Sequence, residues 1–235
     1  MKLIKVGLLG IGTVGAGTFA VLKRNQEEIR RRAGCRIEIT MVADLDTARA
    51  AAIAGAGVEV VSDANLVVNH PDIDVVIELI GGYGIARELV MKAIANGKHV
   101  VTANKALLAT HGTEIFKAAQ EQGVMVAFEA AVAGGIPIIK ALREGLTANR
   151  IQWIAGIING TTNFILSEMR DKGLDFDVVL KEAQRLGYAE ADPTFDIEGV
   201  DAAHKASIMS AIAFCTPVQF DQAYVEGITG LQAMD

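Results

Sequence analysis

Hydrophobic and polar positions alternate in two different rhythms along this chain. Over residues 1–130, short apolar runs rich in Val and Ile are separated by longer stretches of helical period. "LIKVGLL" (3–9) stops at glycines, and a helical pattern follows from about residue 13 to 32. "RIEITMVAD" (36–44) ends in an acid, and "VEVV" (58–61) is a further short run. "DVVIELI" (74–80) precedes a helix at about 84–96, "KHVVT" (98–102) one near 106–122, and "VMVAFEA" (124–130) closes the series. Strands alternating with helices of this length specify βαβ units, a parallel sheet and right-handed crossovers. The pattern predicts a doubly wound α/β domain over 1–130.

After that the rhythm changes. "IPIIKALREGL" (136–146) predicts a helix with Pro in its first turn, and "RIQWIAGII" (150–158) a long strand carrying the single Trp. "TTNFILSEMRDKG" and "DFDVVLKEAQRLG" predict two helices, each closed by glycine. The loop "YAEADPTFDIEG" then leads into a helix from about Val200 to Phe214. Residues 131–235 therefore form a second, α+β domain, and no repeat or low-complexity linker separates the two.

Composition narrows the class. Of 235 residues, 51 % are hydrophobic and 21 % charged, which allows a sizeable core and argues against disorder. Net charge is −6 and no basic run exceeds "RRR" at 30–32, so nucleic acid and anionic membranes are poor partners. No apolar run reaches the ~18 residues of a membrane span. Cys35 and Cys215 give neither a metal spacing nor a disulfide framework, which fits a reducing cytoplasm.

Candidate chemistry begins with Gly10, Gly12 and Gly15 in "GLLGIGTVGAG", between a strand and a helix. This spacing allows a tight turn, close approach of a pyrophosphate, and phosphate binding at the helix N-terminus. Asp44, closing the second strand, stands where a carboxylate would bind adenosine ribose hydroxyls and repel a 2′-phosphate. It could equally cap the helix starting near Thr47; Asp46 adds negative charge, while Arg49 could still reach a 2′-phosphate. Lys105, in "VTANKALLA", follows the fifth strand at the edge where open sheets bind ligands, though a solvated helix-start lysine would look the same. The glycine loop "FEAAVAGGIP" (128–137) could hold a cation on its carbonyls or simply bend. In "IINGTTNF", Asn159 and Gly160 end a run, Thr161 and Thr162 can cap a helix, and the turn can offer N–H groups to a carboxylate. Glu190, Asp192, Asp196, Glu198 and Asp201 crowd the loop beside Lys205 without EF-hand spacing. Asp201 and Lys205 share a helical face, as an ordinary surface salt bridge would, yet their neighbours are core-forming types.

Together, "GLLGIGTVGAG", "VTANKALLA", "AFEAAVAGGIPIIKALREGLTANRI", "GIINGTTNFILSEM" and "EAQRLGYAEADPTFDIEGVDAAHK" resemble homoserine dehydrogenases, in order from residue 4 to about 230. The resemblance implies reversible hydride transfer between aspartate 4-semialdehyde and L-homoserine, in threonine, methionine and isoleucine biosynthesis, with NAD or NADP. It makes Lys205 the proton donor and acceptor at the substrate oxygen, with Glu190, Asp201, Asp196, Tyr188, Gly160 and Thr161 binding substrate. Gly10, Gly12, Thr13, Val14, Gly15, Asp44, Lys105 and Gly187 bind the cofactor. A monovalent cation, Na⁺ or K⁺, falls on Glu129, Val132, Gly134 and Ile136. A homodimer or homotetramer is expected. The Asp201–Lys205 face then points at substrate rather than solvent. Many relatives carry Arg where this chain has Ala43, which weakens an NADP preference. The family's chains also continue beyond residue 235, so an end at "GITGLQAMD" reads as that of a fragment. Two other readings compete: another amino-acid or semialdehyde dehydrogenase, and a cofactor-binding sensor without turnover. An acylating aldehyde dehydrogenase would need a cysteine in a polar setting, which neither Cys35 nor Cys215 offers.

Overall fold

The computed structural model describes residues 2–232, so the last three residues of the expected terminal stretch lie outside it. The described chain divides after Pro137 into two compact units.

In the first unit, β1 (Leu3–Leu9), β2 (Arg36–Ala43), β3 (Glu59–Val61), β4 (Val75–Glu78), β5 (His99–Thr102) and β6 (Val126–Ala127) form one sheet. Its order is β3-β2-β1-β4-β5-β6 and every neighbouring pair is parallel. The helices are α1 (Thr13–Arg24), α2 (Gln26–Ala33), α3 (Thr47–Ala54), α4 (Ala64–Asn69), α5 (Gly84–Ala95), α6 (Lys105–Gln122) and the short α7 (Glu129–Val132). Leu8, Val42, Val76 and Val100 on the central strands are buried, as near-continuous apolar runs in a parallel sheet require. Strand order reverses between β1 and β4, which opens a crevice at their carboxyl ends.

Three local details depart from the sequence pattern. The helix expected over 13–32 is two helices that break at Asn25, a weak interior helix former. Gln26 Nε2 donates to the Ile37 carbonyl at 2.7 Å and ties the start of α2 to β2. The run 124–130 pairs only over Val126–Ala127, because Glu129 already opens α7. An unexpected helix, α4, fills the link between β3 and β4, capped by Asp63, which accepts from the Asn65 N–H at 2.8 Å. Its close packing explains Gly7 in the middle of β1: a Cβ there would stand 2.2 Å from Val67 Cγ1.

The second unit contains α8 (Ile138–Lys140), a π-helical turn (Ala141–Gly145), α9 (Gly160–Lys172), α10 (Phe176–Arg185), α11 (Thr194–Ile197), α12 (Val200–Phe214) and a 3₁₀ turn (Phe220–Gln222). The single helix expected over 136–146 thus loosens halfway, closing with an i→i+5 bond from Leu146 N to Ala141 O. The strand expected at 150–158 is not formed: no described segment of this unit offers it a strand to pair with, and Trp153 is 74 % exposed. The strand part of the expected α+β arrangement is therefore missing from the described residues. A core of Ile165, Met169, Val179, Ala183 and Ala189 holds α9 against α10.

Candidate functional site

The glycine turn between β1 and α1 has the shape a dinucleotide phosphate needs. Gly10 has φ +87°, and a Cβ there would meet the Leu79 carbonyl at 2.9 Å. A Cβ on Gly15 would stand 2.1 Å from Gly10 O, so only glycine lets α1 start this close to the strand. Around Gly12, by contrast, the space is open, leaving room for a pyrophosphate against the backbone. No side chain caps α1, whose first residues, Thr13 and Val14, present their N–H groups at the positive end of the helix dipole.

Asp44 secures this turn. Its Oδ2 accepts from Ile11 N at 2.8 Å and its Oδ1 from Asp46 N at 3.0 Å. The capping alternative belongs to Asp46 instead, which accepts from Arg49 N at 3.0 Å at the start of α3. A carboxylate oxygen has two acceptor positions, so Asp44 can brace the turn and still receive ribose hydroxyls.

The opposite wall follows β4 and contains a residue that periodicity does not single out. Glu78 is fully buried, yet it is a carboxylate. Its Oε1 accepts from Ile80 N (2.9 Å) and Gly81 N (3.0 Å), and its Oε2 from Thr102 Oγ1 (2.6 Å). Thr102 Oγ1 in turn accepts from Asn104 N at 3.0 Å, and Asn104 Nδ2 donates to Gly82 O at 2.7 Å. Asn104 also caps α6 by accepting from Leu107 N at 3.0 Å, placing Lys105 as the first residue of that helix. A lone Glu in an apolar run was the only signal in the sequence for this network.

The loop from α7 onward contains the residues expected to hold a cation. Val132 ends α7, Ala133 is extended, and Gly135 turns at φ +78° beside Gly134 and Ile136. Carbonyls at a helix end and in such a bend lack helical partners, and the Glu129 carboxylate opens the same short helix. No cluster of three or more metal-ligating side chains occurs among the described residues, so a cation here would rest largely on backbone oxygens.

In the second unit a cleft of about 580 Å³ is lined by Asn159, Gly160, Thr161, Phe164, Gly187, Tyr188, Asp196, Asp201 and Lys205. Lys205 Nζ lies 2.7 Å from Asp201 Oδ2 and donates to Ile158 O at 2.9 Å. The side chains are only 17 % and 6 % exposed, so this is no solvated surface pair. Elsewhere on α12, Ile208 and Met209 are buried, and the buried His204 ring meets Phe220 edge-on at 4.4 Å with the tilted Phe195 ring 6.1 Å away. That packing is why the helix reads as apolar despite its charged pair.

The cleft's other wall is the N-terminus of α9. Asn159 caps it, accepting from Thr162 N at 2.8 Å, and Gly160 and Thr161 are its first two residues. Thr161 Oγ1 donates to the Tyr188 carbonyl at 2.7 Å, and the Phe164 and Tyr188 rings lie 4.9 Å apart, fixing the turn at Gly187 (φ +78°). Glu190, expected to touch substrate, is exposed and does not line the cleft; Gln184 Nε2 holds its carbonyl at 3.1 Å. Asp192 is a loop brace: its Oδ1 accepts from the Thr194 hydroxyl (2.6 Å) and N–H (3.2 Å), which hold its carboxyl below the usual carboxylate range. A positive helix end, two carboxylates and a paired ammonium around one cavity suit a small zwitterion bearing an oxygen function.

Comparison with known proteins identifies the family. The family model described as the homoserine dehydrogenase NAD binding domain matches residues 10–129, and the one described as homoserine dehydrogenase matches 137–235. The homoserine dehydrogenase of Pseudomonas aeruginosa is 64 % identical, over all of this chain and 54 % of its own length. The crystal structure of a homoserine dehydrogenase from Thiobacillus denitrificans superposes with a TM-score of 0.94 at 68 % identity, covering all of this chain and 54 % of that one. A hyperthermophilic archaeal homoserine dehydrogenase in complex with NADPH has a TM-score of 0.81 at 27 % identity, covering 99 % of this chain and 76 % of that one. The chain spans about half the length of the curated relatives it matches. With its fold, its glycine turn and both family models in agreement, the chain belongs to the homoserine dehydrogenase family.

Proposed function

We propose that this chain carries out the family's reaction, reversible hydride transfer between L-aspartate 4-semialdehyde and L-homoserine with a nicotinamide cofactor. The observation that carries the reading is the shielded Asp201–Lys205 pair in a cleft that also holds a helix N-terminus. A nicotinamide cofactor, once bound, would supply the hydride in reduction and accept it in oxidation. In the direction of reduction, Lys205 gives a proton to the aldehyde oxygen as its carbon receives hydride; in oxidation the neutral amine takes the hydroxyl proton. Asp201 holds the amine in place. Gly160 and Thr161 receive the substrate carboxylate on their N–H groups, while Asp196, Tyr188 and the more distant Glu190 complete substrate binding. Gly187 is assigned to the nicotinamide side, and Lys105, Thr13, Val14 and the glycines to the rest of the cofactor.

The cofactor preference follows from Asp44, whose carboxylate repels a 2′-phosphate, and from Ala43, which supplies no compensating charge. NAD is therefore used at least as well as NADP. A monovalent cation on Glu129, Val132, Gly134 and Ile136 braces the loop after α7. A cytoplasmic homo-oligomer serving threonine, methionine and isoleucine synthesis is the setting that fits this activity. The test is homoserine-dependent reduction of NAD⁺ and NADP⁺ by the purified protein. Cofactor binding without any such reduction would overturn the enzymatic reading and leave the sensor.

A further inference from the structure

The dipeptide Ile158–Asn159 grips both ends of the Asp201–Lys205 pair. The Ile158 carbonyl accepts from Lys205 Nζ at 2.9 Å, while Asn159 Nδ2 donates to Asp201 Oδ2 at 2.9 Å. The second Nδ2 hydrogen goes to Asp196 Oδ1 at 2.7 Å. Oδ1 of the same amide accepts from Thr162 N (2.8 Å) and Thr162 Oγ1 (3.0 Å). A carboxamide has two donors and two acceptor positions, and here all four are engaged on a side chain that is 7 % exposed. Its orientation is set by chemistry: the Thr162 N–H can only donate, so oxygen must face α9, and two carboxylates can only accept from the NH₂ group.

We propose that Asn159 is a positioning residue of this site: it holds Asp196 and Asp201 at a fixed spacing and, through Asp201, aims the Lys205 ammonium into the cleft. The inference rests on the homoserine dehydrogenase reading for what Lys205 does. Two carboxylates reaching one point repel each other, and a second cation between them would compete with Lys205 for Asp201. A neutral double donor joins them without that competition. Two of the three Lys205 N–H groups are directed to Ile158 O and Asp201, which leaves the third direction for a substrate oxygen. If Asn159 were only a helix cap, aspartate would serve as well, since Asn and Asp cap about equally.

Asn159→Asp therefore separates the two roles. It retains the oxygen that accepts from Thr162 N but replaces the NH₂ donor with a third carboxylate. The charged or titratable groups facing Lys205 across the cleft are Asp201 from its own helix, Asp196 from α11 and Tyr188 from the loop after α10. A further negative charge beside them favours the ammonium. We expect N159D to fold with a lowered melting temperature, because a third carboxylate joins Asp196 and Asp201, to lose at least tenfold in kcat for homoserine oxidation, and to leave cofactor Kd unchanged. The acidic limb of its kcat–pH profile, below which Lys205 is protonated and cannot act as base, should move to higher pH. The Lys205 titration, followed by NMR of ¹³C-labelled lysine in the cofactor-free protein, should move the same way. Folded N159D with unchanged kcat would overturn the proposal whatever the Lys205 titration does, as would a rise in homoserine KM alone. If N159D does not fold, Asn159→Ser, which caps but has no amide donors, should show the same loss of kcat, and normal turnover there would also overturn it. The NMR titration needs no turnover, so an inactive parent protein would reject the enzymatic reading while Asn159 is still judged.

Discussion

Residue by residue, the proposed chemistry rests on charges that the fold removes from bulk water. Lys205→Ala should lower kcat by ~10²–10⁴-fold with cofactor affinity nearly unchanged, measured as steady-state homoserine oxidation beside cofactor titration. A solvated pair would instead cost under ~1 kcal/mol of stability and leave turnover alone, so near-normal turnover in folded protein would reject the assignment. Lys98 is the structural counterpart, buried at the amino end of β5, where its Nζ donates to the His70 (2.6 Å) and Ile73 (2.8 Å) carbonyls. Burial holds its amine below the ordinary lysine value, against an opposing pull from Asp74. Between its folded and unfolded values the unfolded chain binds the extra proton, so this group adds stability as pH rises toward ~10.4. Lys98→Met should abolish that alkaline gain and, by orphaning two carbonyls, cost about 1–3 kcal/mol at neutral pH. Denaturant melts of both proteins at neutral and alkaline pH check the magnitude and the sign.

At the scale of elements, the glycine turn and the Glu78 network together shape the carboxyl edge of the sheet. Gly15→Ala drives a Cβ against the Gly10 carbonyl, and backbone must move to accommodate it. The expected result is at least a tenfold loss of NAD affinity, read by titration of the reduced cofactor's fluorescence; unchanged affinity would mean that this turn does not hold phosphate. Glu78→Gln replaces one acceptor oxygen by a donor among three groups that all donate to the carboxylate. About 1–3 kcal/mol of stability should be lost, seen as a lower denaturation midpoint at constant m-value. A variant as stable as the parent would show that the network is dispensable.

For the whole molecule, cofactor binding and stability are one equilibrium. A cofactor held by the native state at 100 times its Kd should stabilise the protein by about 2.7 kcal/mol. Thermal scans with and without NAD test this, and Gly15→Ala protein at the same concentration should show a smaller rise. Comparing the rise given by NAD with that given by NADP at equal concentration ranks the two cofactors independently of turnover. A much larger rise with NADP would mean that Arg49 or another cation outweighs Asp44.

Periodicity and punctuation in the sequence determined the first unit almost completely. Central parallel strands must be apolar on both faces, glycines must stand where backbone approaches backbone, and α12 follows the Val200–Phe214 pattern to the residue. The family motifs likewise marked Lys205, Asp201 and the glycine turn. Whether a charge faces water or a neighbour depends on contacts between segments far apart in the chain, and so only tertiary structure decided it. Asp201 and Lys205 have surface-pair spacing, yet Asn159 and Ile158, more than forty residues away in sequence, make them a shielded, oriented pair. Glu78 interrupts an apolar strand without apparent reason until Thr102 and the N–H groups of Ile80 and Gly81 are seen around it. The run 150–158 shows the converse: its pattern is that of a strand, but a strand exists only through a partner's backbone, and the described residues supply none.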